Sequence, residues 1–250
     1  MPAQSEPTPV AIITGAAKRI GANTTAHLHS TGVNVVIHYG HSAAAAEELA
    51  GILNAIRPDS ARIVQADLAD DSAAQRIVSA ATDAWGRLDI LINNASTFYP
   101  TPIDTLQPKQ IDELFASNYR APLLLAQAAA PALRESKGNI LNMVDIHAYR
   151  PYAGHLVYGT AKAALLMLTR ALAVELAPQV RVNGIAPGSI LWPEGESALS
   201  DDSKQTVLDG IPLHRNGTPD DIARTIAFLT GPDANYITGQ ILSVDGGRSL

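Results

Sequence analysis

A doubly wound α/β fold, a single domain on a parallel sheet of about seven strands with helices on both faces, is predicted by three features of the sequence. Seven short runs are apolar without polar alternation, the pattern of strands buried on both faces. Segments of helical periodicity separate them, and alternation of this kind forms right-handed crossovers between parallel neighbours. The alternation extends through nearly all of the 250 residues, enough chain for one large core, and no internal repeat or low-complexity linker divides it.

The elements follow in chain order. MPAQSEPTP is polar and proline-rich, with no charged stretch ahead of an apolar one, so residues 1–8 are expected to form a loose tail rather than a secretory signal. Residues 9–250 make the domain. PVAIIT (9–14) is the first strand, with a helix over 16–30, and VNVVIHY (33–39) is the second. The next helix, 43–56, starts after Ser42, where Ala43 to Ala46 give strong helix propensity. ARIVQAD (61–67), a helix at 71–84, LDILINNA (88–95) and a helix at 108–134 come next. GNILNMVD (138–145), a helix at 157–177, VRVNGIAP (180–187), a helix at 219–230 and GQILSVDGG (239–247) complete the series. The stretch 188–215 is longer than most connections in compact domains and is expected to be an irregular lid over a substrate.

Composition narrows the chemistry. Cysteine is absent, which excludes disulfides, thiolate catalysis and cysteine-ligated metal and suits a reducing cytoplasm; no metal site is expected. The net charge is -6 and no lysine or arginine block occurs, so a nucleic-acid partner is not expected. The apolar run APLLLAQAAAPAL is interrupted by Gln127 and Pro131 and is too short to span a bilayer. A soluble protein with no membrane partner is expected.

In doubly wound sheets ligands bind beyond the carboxyl ends of the strands, so residues there carry functional weight. Gly15 and Gly21 let the chain turn tightly and approach a pyrophosphate at a helix N-terminus; in isolation the pair equally suits an ordinary turn. Arg19 stands where a third glycine would be expected. Tyr158 and Lys162, four residues apart in a helical segment, share one face, and the cation is expected to lower the phenol pKa. Ser96 and Phe98 suit a flat, polar heteroaromatic ligand, stacked on one face and hydrogen-bonded at its edge, although Phe98 could also fill core. After the second strand no acid appears. His38, His41 and Ser42 instead offer donors to a 2'-phosphate, with Lys18 supplying further charge. Asp67 also suits a turn.

TG-x5-G at Thr14 to Gly21, NNA at Asn93 to Ala95, Tyr158-x3-Lys162 and Pro187-Gly188 together resemble the short-chain dehydrogenase/reductase family over essentially the whole chain. TGAAKRIG, NNASTFYPTP, NMVD, YGTAKAAL, ELAP, YITG and DGGRSL resemble its pteridine reductases. The resemblance implies a Rossmann-like domain that uses NADPH to reduce a pterin or folate. It implies a cofactor site of Gly15, Lys18, Arg19, Ile20, His38, Tyr39, His41, Ser42, Asp67, Leu68, Asn94, Ala95, Ser96, Tyr158, Lys162, Pro187, Gly188 and Ser189. Lys162 would hold the nicotinamide ribose, Asp67 would lie beside the adenine, and Arg19 would reach cofactor phosphate and pterin together. Asn118 would support a proton relay. Where the family generally has serine this chain has Asp145, as pteridine reductases do, and there Asp145 and Tyr158 would supply protons; the residue also suits a turn or cap. Arg19, Ser96, Phe98, Asp145, Tyr158, Gly188, Leu191 and Trp192 would meet substrate, the last two alternatively packing within the lid. ILWPEGES departs from the usual pattern towards dihydromonapterin reductases. Two other readings stand beside this one: a generic carbonyl or 3-oxoacyl reductase, and a non-catalytic NADPH-binding regulator. The resemblance further implies a homotetramer packed through its terminal strand, with Arg248 free to enter its own or a neighbouring subunit's site.

Overall fold

A computed structural model describes residues 7–192 and 200–250. All seven expected strands form: β1 Val10–Ile13, β2 Asn34–Tyr39, β3 Ala61–Gln65, β4 Ile90–Asn93, β5 Asn139–Met143, β6 Arg181–Pro187 and β7 Ile241–Val244. They join in one parallel sheet of order β3-β2-β1-β4-β5-β6-β7. The order reverses between β1 and β4, and the crevice opened there, at the carboxyl ends of the strands, is where such sheets bind ligands.

The helices are α1 Arg19–Ser30, α2 Ala43–Ile56, α3 Ala73–Trp85, α4 Pro108–Phe115, α5 Ala121–Ser136, α6 Leu156–Glu175, α7 Asp201–Asp209 and α8 Pro219–Thr230. Strand residues alternate between two core layers, as a period of two requires. Val10, Ile12, Leu91, Ile140 and Val182 face the layer under α3 and α5. Ala11, Ile13, Ile92, Leu141 and Ile185 face the layer under α1, α2 and α8. One strand thus feeds two cores, which explains the unbroken apolar runs. α6 is long and apolar enough by composition to cross a membrane, yet it packs against β6 and buries Lys162, as a core helix does.

Three expectations require correction. α1 begins at Arg19 rather than at residue 16, because the turn after β1 is held out of the helix by the Ala16 N–H donating to the His38 carbonyl at 2.9 Å. The helix expected over 108–134 is divided by a π turn, Ala116–Arg120. Pro122 has no N–H for the carbonyl four residues back and its ring crowds that position, so the backbone widens there. The 188–215 stretch is not wholly irregular: α7 lies within it, started by the Ser200 hydroxyl, which accepts the Ser203 N–H at 3.2 Å, and by acids in its first turn. Residues 193–199 of that stretch, and 1–6 of the expected tail, lie outside the described residues.

Candidate active site

The loop after β1 is shaped by close approach. Gly15 is left-handed, with φ 60°. A Cβ at Gly21 would fall 2.3 Å from the Gly15 carbonyl oxygen and 2.8 Å from Nδ2 of Asn94, so no larger residue fits unless the loop moves. The Asn94 amide donates to the carbonyls of Thr14 at 2.7 Å and Gly15 at 3.1 Å, and the Ala95 N–H donates to Oγ1 of Thr14 at 3.0 Å. The loop is thereby held close against the start of α1. Arg19, at the head of α1, has φ 53°, where glycine would be unstrained.

His38 closes the loop from the other side. Its Nδ1 accepts the Gly15 N–H at 3.2 Å and its Nε2 donates to the Ala66 carbonyl at 3.1 Å, a pairing that requires the neutral ring. Burial pushes the imidazole below its ordinary pKa, against the opposing pull of the Ala66 bond. The expectation that His38 meets a 2'-phosphate is thereby corrected: the ring is buried and both nitrogens are spent on the loop. Lys18 and His41 are exposed at this end of the sheet, with Tyr39 and Ser42 half-buried. Ser42 makes no cap bond to α2. Asp67 accepts the Ala69 N–H at 2.9 Å in a local turn, and Leu68 packs against the α3 and α5 layer.

The Tyr158 hydroxyl donates to Oδ2 of Asp145 at 2.8 Å. The other oxygen of Asp145 accepts the His147 N–H at 2.9 Å, capping a short 3-10 turn, Ile146–Ala148. Asp145 is thus both a cap and a partner of the tyrosine. Nζ of Lys162 donates to the Met143 carbonyl at 2.8 Å and lies 5.6 Å from the Tyr158 ring centroid. The expected lowering of the tyrosine pKa is reversed. Burial, then the charge and hydrogen bond of Asp145, push the phenol well above its ordinary range, and the Ser96 hydroxyl opposes this too weakly to matter. Burial lowers the Lys162 ammonium to about 8, with Asp145 opposing. At neutral pH the phenol keeps its proton and is a donor.

Asn118 occupies the π turn and is fully buried. Its Nδ2 donates to the carbonyls of Thr97 at 2.9 Å and Leu114 at 3.0 Å, while its Oδ1 accepts the Ser96 hydroxyl at 2.7 Å. Phe98 is 54% exposed, which corrects the alternative that it fills core. Its ring meets Tyr158 edge-on at 4.7 Å and stacks on His155 at 4.6 Å. The stack continues from His155 to Tyr152 at 4.5 Å and from Tyr152 to His147 at 4.6 Å. The sequence reading missed this wall. Its one local signal is His155, three residues before Tyr158 and so on its side of the helix start.

These side chains border a cleft of about 770 Å³. Arg19, Ile20, Asn94, Ser96, Phe98, Asp145, Tyr158, Lys162, Pro187, Gly188, Ser189 and Leu191 line it, joined by His147, Tyr152, His155 and Arg248. Gly15 and Ala95 sit behind it in the loop and Asn118 behind Ser96; Trp192 is half-buried outside the lining. Among the described residues no three His, Cys, Asp or Glu side chains gather to hold a metal ion.

Residues 15–249 match the family described as enoyl-(acyl carrier protein) reductase. Pteridine reductase 1 of Leishmania tarentolae is 40% identical over 97% of this chain and 96% of its own length. The 3-oxoacyl-[acyl-carrier-protein] reductase of Staphylococcus aureus strain Mu50 is 34% identical over 96% of this chain and 98% of its own. The 7alpha-hydroxysteroid dehydrogenase of Bacteroides fragilis is 33% identical over 96% and 94%.

Proposed function

Because the chain belongs to the short-chain dehydrogenase/reductase family of oxidoreductases, we propose that it is an NADPH-dependent pteridine reductase, converting dihydropterins and their folate counterparts to the tetrahydro forms. The observation that carries this reading is the Tyr158 hydroxyl bonded to the Asp145 carboxylate at 2.8 Å, with Phe98 exposed beside it. A carbonyl substrate calls for a neutral donor at its oxygen. A carboxylate at the same strand end instead accepts from, and so orients, the N–H edge of a nitrogen heterocycle, while the Tyr158 hydroxyl supplies the proton.

The cleft suits a dinucleotide. A pyrophosphate would lie against the loop after β1 at the N-terminus of α1, with Arg19, which lines the cleft, adding charge. No acid follows β2, and Lys18, His41 and Ser42 remain to meet a 2'-phosphate. Pro187, Gly188 and Ser189 would border the nicotinamide and Lys162 would hold its ribose, since all four line the cleft. The bound nicotinamide supplies a hydride; the protein supplies position and protons. Phe98 stacks the pterin, Ser96 and Asp145 hold its edge, and Tyr158 donates the proton. Asn118 fixes Ser96 and would support reprotonation of Tyr158. The chain is further proposed to act in the cytoplasm as a homotetramer.

The relative in Staphylococcus aureus keeps a 3-oxoacyl reductase as the competing reading, while the intact Asn118, Tyr158 and Lys162 argue against a non-catalytic regulator. Anaerobic initial rates of NADPH oxidation with dihydrobiopterin, dihydromonapterin, dihydrofolate and an acetoacetyl thioester separate them, with NADH in parallel. Saturable pterin turnover is expected, reduced by about 10²- to 10⁴-fold in Tyr158→Phe and about tenfold or more in Asp145→Ser. Turnover of the thioester alone would overturn the reading.

A further inference from the structure

The C-terminal turn carries a cation that the proposed reaction does not use. After β7, Oδ1 of Asp245 accepts the Gly247 N–H at 3.0 Å and Oδ2 accepts the Ser249 N–H at 2.7 Å, while the Arg248 N–H donates to the Asp245 carbonyl at 3.2 Å. Burial disfavours the Asp245 carboxylate, but these bonds outweigh it and hold its pKa below the ordinary value. Gly246 and Gly247 are left-handed, with φ 65° and 88°, and a Cβ on either would meet Ile211 at 2.8 Å or Pro212 at 2.9 Å. Across the turn, a Cβ on Gly188 would fall 2.6 Å from that of Asp245. The turn is wedged between the loop after β6 and residues 211–213.

What this braced turn offers the cleft is Arg248, half-buried and lining the same hollow as Tyr158, Asp145 and Phe98. Among the described residues Arg248 pairs with no carboxylate. A chain of net charge -6 therefore presents a cleft where Arg19, Lys162 and Arg248 face Asp145 as the one lining carboxylate among the described residues. Such a local reversal of sign concentrates anions. In the reading above Arg19 answers to cofactor phosphate and Lys162 to ribose, which leaves Arg248. A guanidinium recognises a carboxylate through paired donors, and the braced turn fixes the backbone from which Arg248 reaches the cleft.

We propose that Arg248 is a specificity-determining residue that binds a carboxylate on the substrate's side chain, favouring a pterin with an acidic extension over one that ends in neutral hydroxyls. The inference rests on the pterin reading and deepens it. Dissociation constants for folate, which carries carboxylates, and 6-methylpterin, which carries none, are measured on the NADP⁺-bound enzyme and on Arg248→Gln and Arg248→Lys. Folate is expected to weaken about tenfold in Arg248→Gln, equivalent to about 1.4 kcal/mol, and less in Arg248→Lys, with 6-methylpterin unchanged within about twofold in both. Equal weakening of both ligands, or no loss for folate, overturns the role of Arg248 alone. Binding of neither ligand to the parent enzyme overturns the pterin reading along with it.

Discussion

A phenol beside a carboxylate holds its proton more firmly than one beside an ammonium, and at Tyr158 the carboxylate is the nearer. Asp145 is in direct hydrogen bond with the hydroxyl, whereas Lys162 lies under the ring and spends a donor on Met143. The tyrosine is therefore poised to give a proton, and Lys162 to fix the end of β5. That arrangement costs stability. A lysine lowered from 10.5 to about 8 by burial destabilises the folded chain by about 3 kcal/mol at neutral pH. The sign follows from proton binding: below pH 8 both states hold the proton and the cost is complete. Between pH 8 and 10.5 the unfolded chain binds more protons, so this contribution to stability rises with pH and the cost fades. Lys162→Met removes it and leaves the Met143 carbonyl without its donor, which costs about 1–3 kcal/mol. The variant is expected to lose turnover by about a hundredfold or more, while its apo thermal midpoint at pH 7 stands at or above the parent's. Its relative advantage should shrink by pH 10. Calorimetry showing a midpoint several degrees lower at pH 7 would mean that the ammonium stabilises the fold instead.

At the scale of elements, α1 begins on a residue in a conformation that suits glycine. A non-glycine residue in the left-handed region costs about 1–2 kcal/mol, and Arg19 bears that cost at φ 53° to bring its charge to the cleft. Replacing it separates backbone from charge. Arg19→Gly and Arg19→Ala are both expected to weaken NADPH about tenfold, but the glycine variant should be the more stable of the two by about 1 kcal/mol, read from denaturant midpoints of the apo proteins. Equal midpoints would show that the backbone relaxes away from the left-handed region. How legible each element was depended on where its determinants lie. α2 and α8 begin and end where the sequence places them, because the alanine run and the Thr218-Pro219 start, with its capping box, are local signals. The π turn was concealed by a periodicity that continues through Pro122, and only the missing N–H betrays it. Tyr158, Asp145 and Phe98 could be found because each follows a strand or shares a helix face. His38 was misread because its partners, Gly15 and Ala66, are remote in sequence. The wall of His147, Tyr152 and His155 comes largely from a connection without periodicity, where only the spacing of His155 from Tyr158 gave a local signal.

For the whole molecule the two edges of the sheet differ. At the β3 edge, Arg62 lies over the Trp85 ring at 5.6 Å and pairs with Asp59, so the outer strand carries charge of the kind that discourages strand addition. At the β7 edge, Leu242, Phe228 and Tyr236 are exposed, an apolar surroundings that a second copy would cover. The proposed tetramer is therefore expected to use the β7 side. The consequence reaches the site, since β7 runs directly into the turn that packs Asp245 against Gly188 and carries Arg248. Light scattering is expected to give the parent the mass of four chains of 26.3 kDa. Leu242→Asp should give a smaller assembly, and Arg62→Asp, at the opposite edge, should leave the mass unchanged. Circular dichroism melts distinguish dissociation from unfolding. If the β7 side supports the turn, the dissociated but folded Leu242→Asp enzyme should also bind folate more weakly, with 6-methylpterin affected less. A parent of single-chain mass, or a mass that responds to Arg62 and not to Leu242, would remove the β7 side as the interface, and the turn would then owe its rigidity to Asp245 and its flanking contacts alone.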